Sequence, residues 1–144
     1  MGRITWQQVQ DPLNEQILSE VEESFGIKFP SDYKECVIRF NGGRPHPSVF
    51  NFKDGGTGEF GYLLSFTEEP NIKMVYGLIA DYLPKGVFPF ATDFGGNKLC
   101  FDYRANKHSP SIVFYDHEQE EEDAIESICE TFTELLDSLH YDED

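Results

Sequence analysis

Residues 93–95 read Asp-Phe-Gly, the letters of the loop with which protein kinases hold magnesium, inside the stretch FPFATDFGGNKLCFDY at 88–103. There the Asp carboxylate binds the metal that neutralises the nucleotide phosphates, so it needs a glycine-rich ATP loop, a strand lysine and an H-R-D loop around it. None of these occurs, and 144 residues are too few for a kinase. Asp93, Asn97 and Asp102 could instead offer oxygens to a hard cation if a hairpin drew them together. The same residue types stabilise turns by bonding nearby backbone N–H groups, which is the preferred reading.

Other chemistry-bearing residues are dispersed. His46, His108, His117 and His140 form no H-E-x-x-H pair. His117-Glu118 and the acids that follow could be drawn as a metal site, but they read better as a solvated helix start. Ser65 and Ser127 lack a G-x-S-x-G setting, and GGTGEFG lacks the lysine and helix of a P-loop. Cys100 with a distant histidine is a conceivable nucleophile pair, yet it lies mid-strand in a Phe-rich run. Cys36, Cys100 and Cys129 are odd in number and contain no C-x-x-C, so they suggest neither a zinc site nor a disulfide framework. They read as small apolar groups of a reducing cytosol. The expectation is a protein that is not an enzyme and has no catalytic residue, metal or cofactor.

Charge is unusual. The chain has 27 Asp and Glu against 11 Lys and Arg, a formal net of -16. From Asp116 to Asp144 there are 13 acidic residues and no Lys or Arg. Such a surface repels phosphate backbones and anionic lipid, which argues against direct nucleic-acid or membrane binding. It attracts a basic protein and speeds the encounter, although solubility alone is a second use for it. No apolar run reaches the roughly 18–20 residues of a membrane span. The start, MGRITWQQVQDPLNEQ, has no signal-peptide core, and Trp6 stands where a myristoylation signal behind Gly2 carries Ser or Thr. A cytoplasmic location is expected.

The elements that would position these residues follow from periodicity. Leu13, Ile17, Val21 and Phe25 recur every four residues, one face of a helix that Gly26 stops. Pro30 suits the first turn of a second helix, with Tyr33, Val37 and Phe40 on one face and Asn41-Gly42-Gly43 as its end. The chain is therefore expected to open with a helical hairpin. RPHPSVFNF leads into a short strand, KDGGTGE is a turn or mobile loop, and FGYLLSF reads as a strand. A third helix is expected over 72–83, with Ile72, Tyr76, Ile79 and Leu83 on one side and Gly77 inside it. Val87 to Thr92 and Lys98 to Tyr103 form a hairpin around DFGGN, where Gly95, Gly96 and Asn97 make the turn. Ser111 to Tyr115 adds a strand, and such a sheet is expected to wet one face. AIESICETFTELLDSLHY reads as one long final helix, with Ile125, Ile128, Phe132, Leu135, Leu136 and Leu139 as its stripe. HEQEEED would then set carboxylates at its positive end, and the tail YDED is expected to fray.

On these pieces the chain resembles the SUKH superfamily. That group includes yeast-type regulators of cell-wall assembly and glucan synthesis and many bacterial immunity proteins. GIKFPSDYKECVIRFNGG is similar to its first signature, through Phe29, Pro30, Tyr33, Asn41, Gly42 and Gly43. FPFATDFGGNKLCFDY resembles the second, and IVFYDHEQE the third, in matching order across roughly residues 13–140. The departures lie in the middle, residues 44–75. The resemblance implies a single α+β domain over residues 1–144, mainly antiparallel sheet packed with about four helices, its core at 13–140 and an acidic tail at 141–144. It also implies non-enzymatic work, the binding of a partner protein, with no cofactor. In bacteria that partner is typically a toxin domain, often a nuclease, neutralised in the cytoplasm; the alternative is a regulatory scaffold of cell-wall or glucan synthesis. Together with the charge, this makes Asp116, Glu118, Glu120, Glu121, Glu122 and Asp123 the candidate contacts for a basic toxin domain. Asp54 and Glu59 are candidates beside them, with Glu68 and Glu69 as further possibilities.

Overall fold

A short strand, β1 (Thr5–Gln7), precedes the expected helical hairpin. A computed structural model describes residues 4–142. Gly2 and the last two tail residues therefore lie outside the described residues. Helix α1 (Glu15–Phe25) starts where the Asn14 side chain accepts the Ile17 N–H at 2.9 Å, and it ends at Gly26 with φ 73°. Helix α2 (Ser31–Phe40) follows directly. Pro30 precedes its first turn rather than lying within it, and its carbonyl accepts the Lys34 N–H at 3.1 Å. The chain then forms β2 (Arg44–His46), β3 (Val49–Asn51), β4 (Thr57–Glu59) and β5 (Tyr62–Leu63). The KDGGTGE segment is thus half turn and half strand, and only two residues of FGYLLSF are strand. Helix α3 (Ile72–Ile79) runs into a 3-10 turn at Ala80–Tyr82, close to the helix expected there.

The main sheet adds β6 (Val87–Thr92), β7 (Lys98–Asp102), β8 (Ser111–Tyr115) and β9 (Ile125–Cys129). Its order is β5-β6-β7-β8-β9, antiparallel throughout, and β1-β2 and β3-β4 form two small ribbons. With helix α4 (Phe132–Ser138) this is an α+β fold. On one face, Phe88, Phe90, Leu99, Phe101, Ile112, Phe114 and Ile128 pack against α1, α2 and α4. Phe90 stacks on Phe101 at 4.2 Å, and Tyr33 meets Phe101 and Phe132 edge-on at 5.0 and 5.5 Å.

The other face is not wet as expected. Val87, Cys100, Val113 and Tyr115 build a second, smaller core with Leu83 and Ala124, against which Tyr76 and Ile79 of α3 pack. Every residue of β6 is consequently buried.

The long final helix is also corrected. Residues 125–129 pair with β8, Tyr115 opposite Ile125 and Ile112 opposite Cys129, and only Phe132–Ser138 is helical. Ile125 and Ile128, three apart, fit a helix stripe, but in a strand that spacing sends them to opposite faces. Both faces are covered, since Ile125 packs on the second core and Ile128 lies in the first. The acidic run therefore leads into a strand, and no helix dipole explains it. Nor does the tail lack contacts at its start. His140 bridges Val49, and the Tyr141 ring stands edge-on to His46 at 5.1 Å.

Candidate docking surface

The D-F-G-G-N turn is a clasp that holds the acidic loop. Asp93 Oδ1 accepts the Gly95 and Asn97 N–H groups at 2.9 and 2.8 Å, and Oδ2 accepts the Asn97 amide at 2.9 Å. Asn97 Oδ1 in turn accepts the His117 N–H at 3.1 Å and lies 2.6 Å from His117 Nδ1. Gly96 has φ 97°, and a Cβ there would stand 3.2 Å from the His117 ring. Asp102 is engaged elsewhere, receiving Arg104 Nε and Nη2 at 3.0 and 2.9 Å. The three oxygens that could have held a cation are thus not brought together. Among the described residues, no group of three or more His, Cys, Asp or Glu is placed to hold a metal ion.

The loop itself closes on backbone bonds. Asp116 N–H donates to the Ala124 carbonyl at 2.7 Å, and Asp116 Oδ1 accepts the Glu118 N–H at 3.0 Å. Glu121, at φ 55°, is a non-glycine residue held in the left-handed region, and it opens a 3-10 turn over Glu121–Ala124. Residues 117–123 are all exposed. Glu122 pairs with Arg104 Nη1 at 3.1 Å. Among the described residues, no Lys or Arg is within ion-pair reach of Asp116, Glu118, Glu120, Glu121 or Asp123.

The other acidic candidates are not all nearby. Asp54 sits in the β3-β4 turn, where Lys53 N–H donates to Ser127 on β9 at 3.1 Å, so it adjoins the strand leaving the loop. Glu59 instead lines a groove of about 690 Å³ with His46, Ser48, His140 and Tyr141, to which no residue of 116–123 contributes. Glu68 and Glu69 follow β5, at the opposite edge of the sheet from β9.

The signature residues hold the frame. Asn41 is buried; its amide donates to Gln10 Oε1 at 3.2 Å and Thr67 Oγ1 at 3.1 Å, and its Oδ1 accepts the Phe66 N–H at 2.9 Å. Gly42, at φ 72°, leaves room for the Gln10 amide, which a Cβ would meet at 2.6 Å. A Cβ on Gly43 would stand 2.9 Å from the Phe40 carbonyl. Phe29 N–H donates to buried Glu22 at 2.7 Å, and Lys34 Nζ lies 3.2 Å from the same carboxylate. Tyr33 is enclosed, and burial holds its phenol well above the usual range. Periodicity did not reveal Gln10, Glu22 or Ser65. Glu22 carried a faint signal, being an acid one residue off an apolar stripe.

The thiols are not poised for attack. Burial pushes Cys36 and Cys129 up to about 12 and Cys100 up as well, so all three stay protonated near neutral pH. No helix among the described residues is long and apolar enough to cross a membrane.

These features define a small α+β domain in which a glycine turn holds an exposed acidic loop against an antiparallel sheet covered on both faces. Residues 12–138 match the SMI1 / KNR4 family (SUKH-1), and the chain belongs to that family. It is also similar to the SPbeta prophage-derived uncharacterized protein YokK of Bacillus subtilis (strain 168), 27% identical over 146 residues, covering 88% of this chain and 73% of the relative.

Proposed function

We propose that this protein acts by binding another protein, as an immunity protein that neutralises a cognate basic toxin domain, a nuclease, in the bacterial cytoplasm. One observation carries the reading. The 116–123 loop presents six carboxylates, fixed by Asn97 at His117 and by Ala124 at Asp116, with Arg104 as its one cationic partner among the described residues. A nuclease must hold phosphates, so its cleft is positive, and an array of carboxylates competes for that cleft. The SMI1 / KNR4 membership supports the same reading.

The test is co-expression with toxin domains encoded beside this gene. Protected cells, and a complex weakened by added salt, are the expected result. Survival that is unchanged when Glu118, Glu120 and Asp123 are replaced by lysine would overturn the electrostatic part. Recovery of cell-envelope enzymes in salt-insensitive complexes, with no protection, would favour the regulatory scaffold.

A further inference from the structure

The outer side of α3 carries Met74 and Leu78, four residues apart, and the 3-10 turn that continues it carries Tyr82. Met74 is 43% exposed, Leu78 75% and Tyr82 68%, whereas Ile72 and Val75 of the same helix are buried. Single exposed apolar residues are ordinary, but a row of three large ones along one helix marks a contact surface. Gly77 lies among them, exposed, with nothing within 4 Å of where a Cβ would stand. Nothing inside the protein requires a glycine there, and it weakens the helix. Its bare backbone lets a neighbouring molecule come close.

The strip ends at the acidic loop. Leu83, one residue past Tyr82, packs with Tyr115 and Ala124 in the second core. Burial, and then the neighbouring Tyr82, Cys100 and Asp116, hold the Tyr115 phenol above its usual range. Lys73 and Lys85 are the basic residues along 72–85, against Asp81 and the six acids of 116–123.

We propose that the outer face of α3 and its 3-10 turn, rimmed by the 116–123 loop, is one docking surface, and that its occupant is a basic protein surface whose lysines or arginines surround an apolar patch. This rests on the protein-binding reading above and adds where the partner sits. The apolar strip slows dissociation and the carboxylate rim speeds encounter. A second copy is a poor occupant, because two chains of net charge -16 would bring like rims together.

The probe is a labelled amphipathic helical peptide built from leucine and lysine, compared with one of equal charge in which the leucines are serines. Binding is read by fluorescence anisotropy, and the site by hydrogen exchange. The Leu/Lys peptide is expected to bind about tenfold more tightly than its Ser counterpart and to weaken with salt. It should slow exchange within 72–83 and 116–124, and lose about tenfold on Leu78→Asp while the circular dichroism is unchanged. Equal binding of the two peptides, indifference to Leu78→Asp, protection elsewhere, or Leu78-dependent self-association in sedimentation would each overturn the proposal. The two readings fail separately. If Leu78→Asp protects cells from a neighbouring toxin as well as the unaltered chain does, the surface is wrong and the immunity role stands. If the peptide results hold and no neighbouring toxin is neutralised, the surface stands and the immunity role falls.

Discussion

Replacing Asn41 by alanine removes three side-chain hydrogen bonds from a site with no exposed surface. The losses are unequal. Gln10 Oε1 keeps the Ser65 hydroxyl as a donor at 2.6 Å, and Thr67 is exposed, so water can replace what it loses. The Phe66 N–H is buried and is left with no acceptor. An orphaned buried N–H costs ~1–3 kcal/mol, and each lost amide bond ~0.5–1.5 kcal/mol. The sum is about 3 kcal/mol, a large part of the ~5–15 kcal/mol typical of a native domain. In urea, Asn41→Ala should lower the midpoint with the slope unchanged, and it should lower Tm by about 10 °C. Gln10→Ala disturbs the same hub, so the double variant should lose less than the sum of the singles by about 1 kcal/mol or more. A loss below about 1 kcal/mol for Asn41→Ala, or strict additivity with Gln10→Ala, would show that Asn41 is a helix end and nothing more.

Four other outcomes are expected. Gly96→Ala forces a side chain to φ 97° and against His117, and should cost about 1–2 kcal/mol and speed hydrogen exchange in 116–118. Gly95→Ala, with nothing closer than 3.8 Å and no positive φ, should change urea stability by less than about 0.5 kcal/mol. Gly77→Ala should raise stability by about 0.5–1 kcal/mol in urea unfolding, because its Cβ meets nothing, while weakening the Leu/Lys peptide. The thiols give a pH dependence with a definite sign. Their folded values are raised from 9.0 to about 12 at Cys36 and Cys129, so above pH 9 the unfolded chain sheds protons that the folded chain keeps. Stability should therefore fall as pH rises from about 9 towards 12, and Cys36→Ala with Cys129→Ala should flatten that fall in urea midpoints measured across the range.

How far residues alone foretell this molecule depends on whether local spacing has one meaning or two. The Asp93-to-Asn97 turn was plain because two glycines between strand-forming runs have few other uses, and the clasp formed by Asp93 is what that composition favours. Asn41 reads from sequence as the end of a helix and a signature residue, not as a hydrogen-bonding hub. Its partners Gln10, Phe66 and Thr67 lie 25–31 residues away, beyond any local pattern. The last helix failed because Ile125 and Ile128 satisfy a helix on one side or a strand covered on both, and the second core that covers β9 has no sequence marker of its own. A start signal for α4 was present in Thr131 and Glu134, where the Thr hydroxyl accepts the Glu134 N–H at 3.0 Å, but the longer apolar stripe masked it.

The docking strip shows the same ambiguity from the other side. Across 72–83, Ile72, Met74, Val75, Tyr76, Leu78, Ile79, Tyr82 and Leu83 are apolar on nearly every side, and a helix apolar all round reads as a buried one. Only the fold separates them. Ile72, Val75 and Leu83 reach the two cores, and Met74, Leu78 and Tyr82 remain in water. The charge count pointed to the acidic loop because charge needs no fold to be counted. The apolar strip beside it needs one, because a large apolar side chain marks a contact surface only when the packing that could have covered it is seen to leave it exposed.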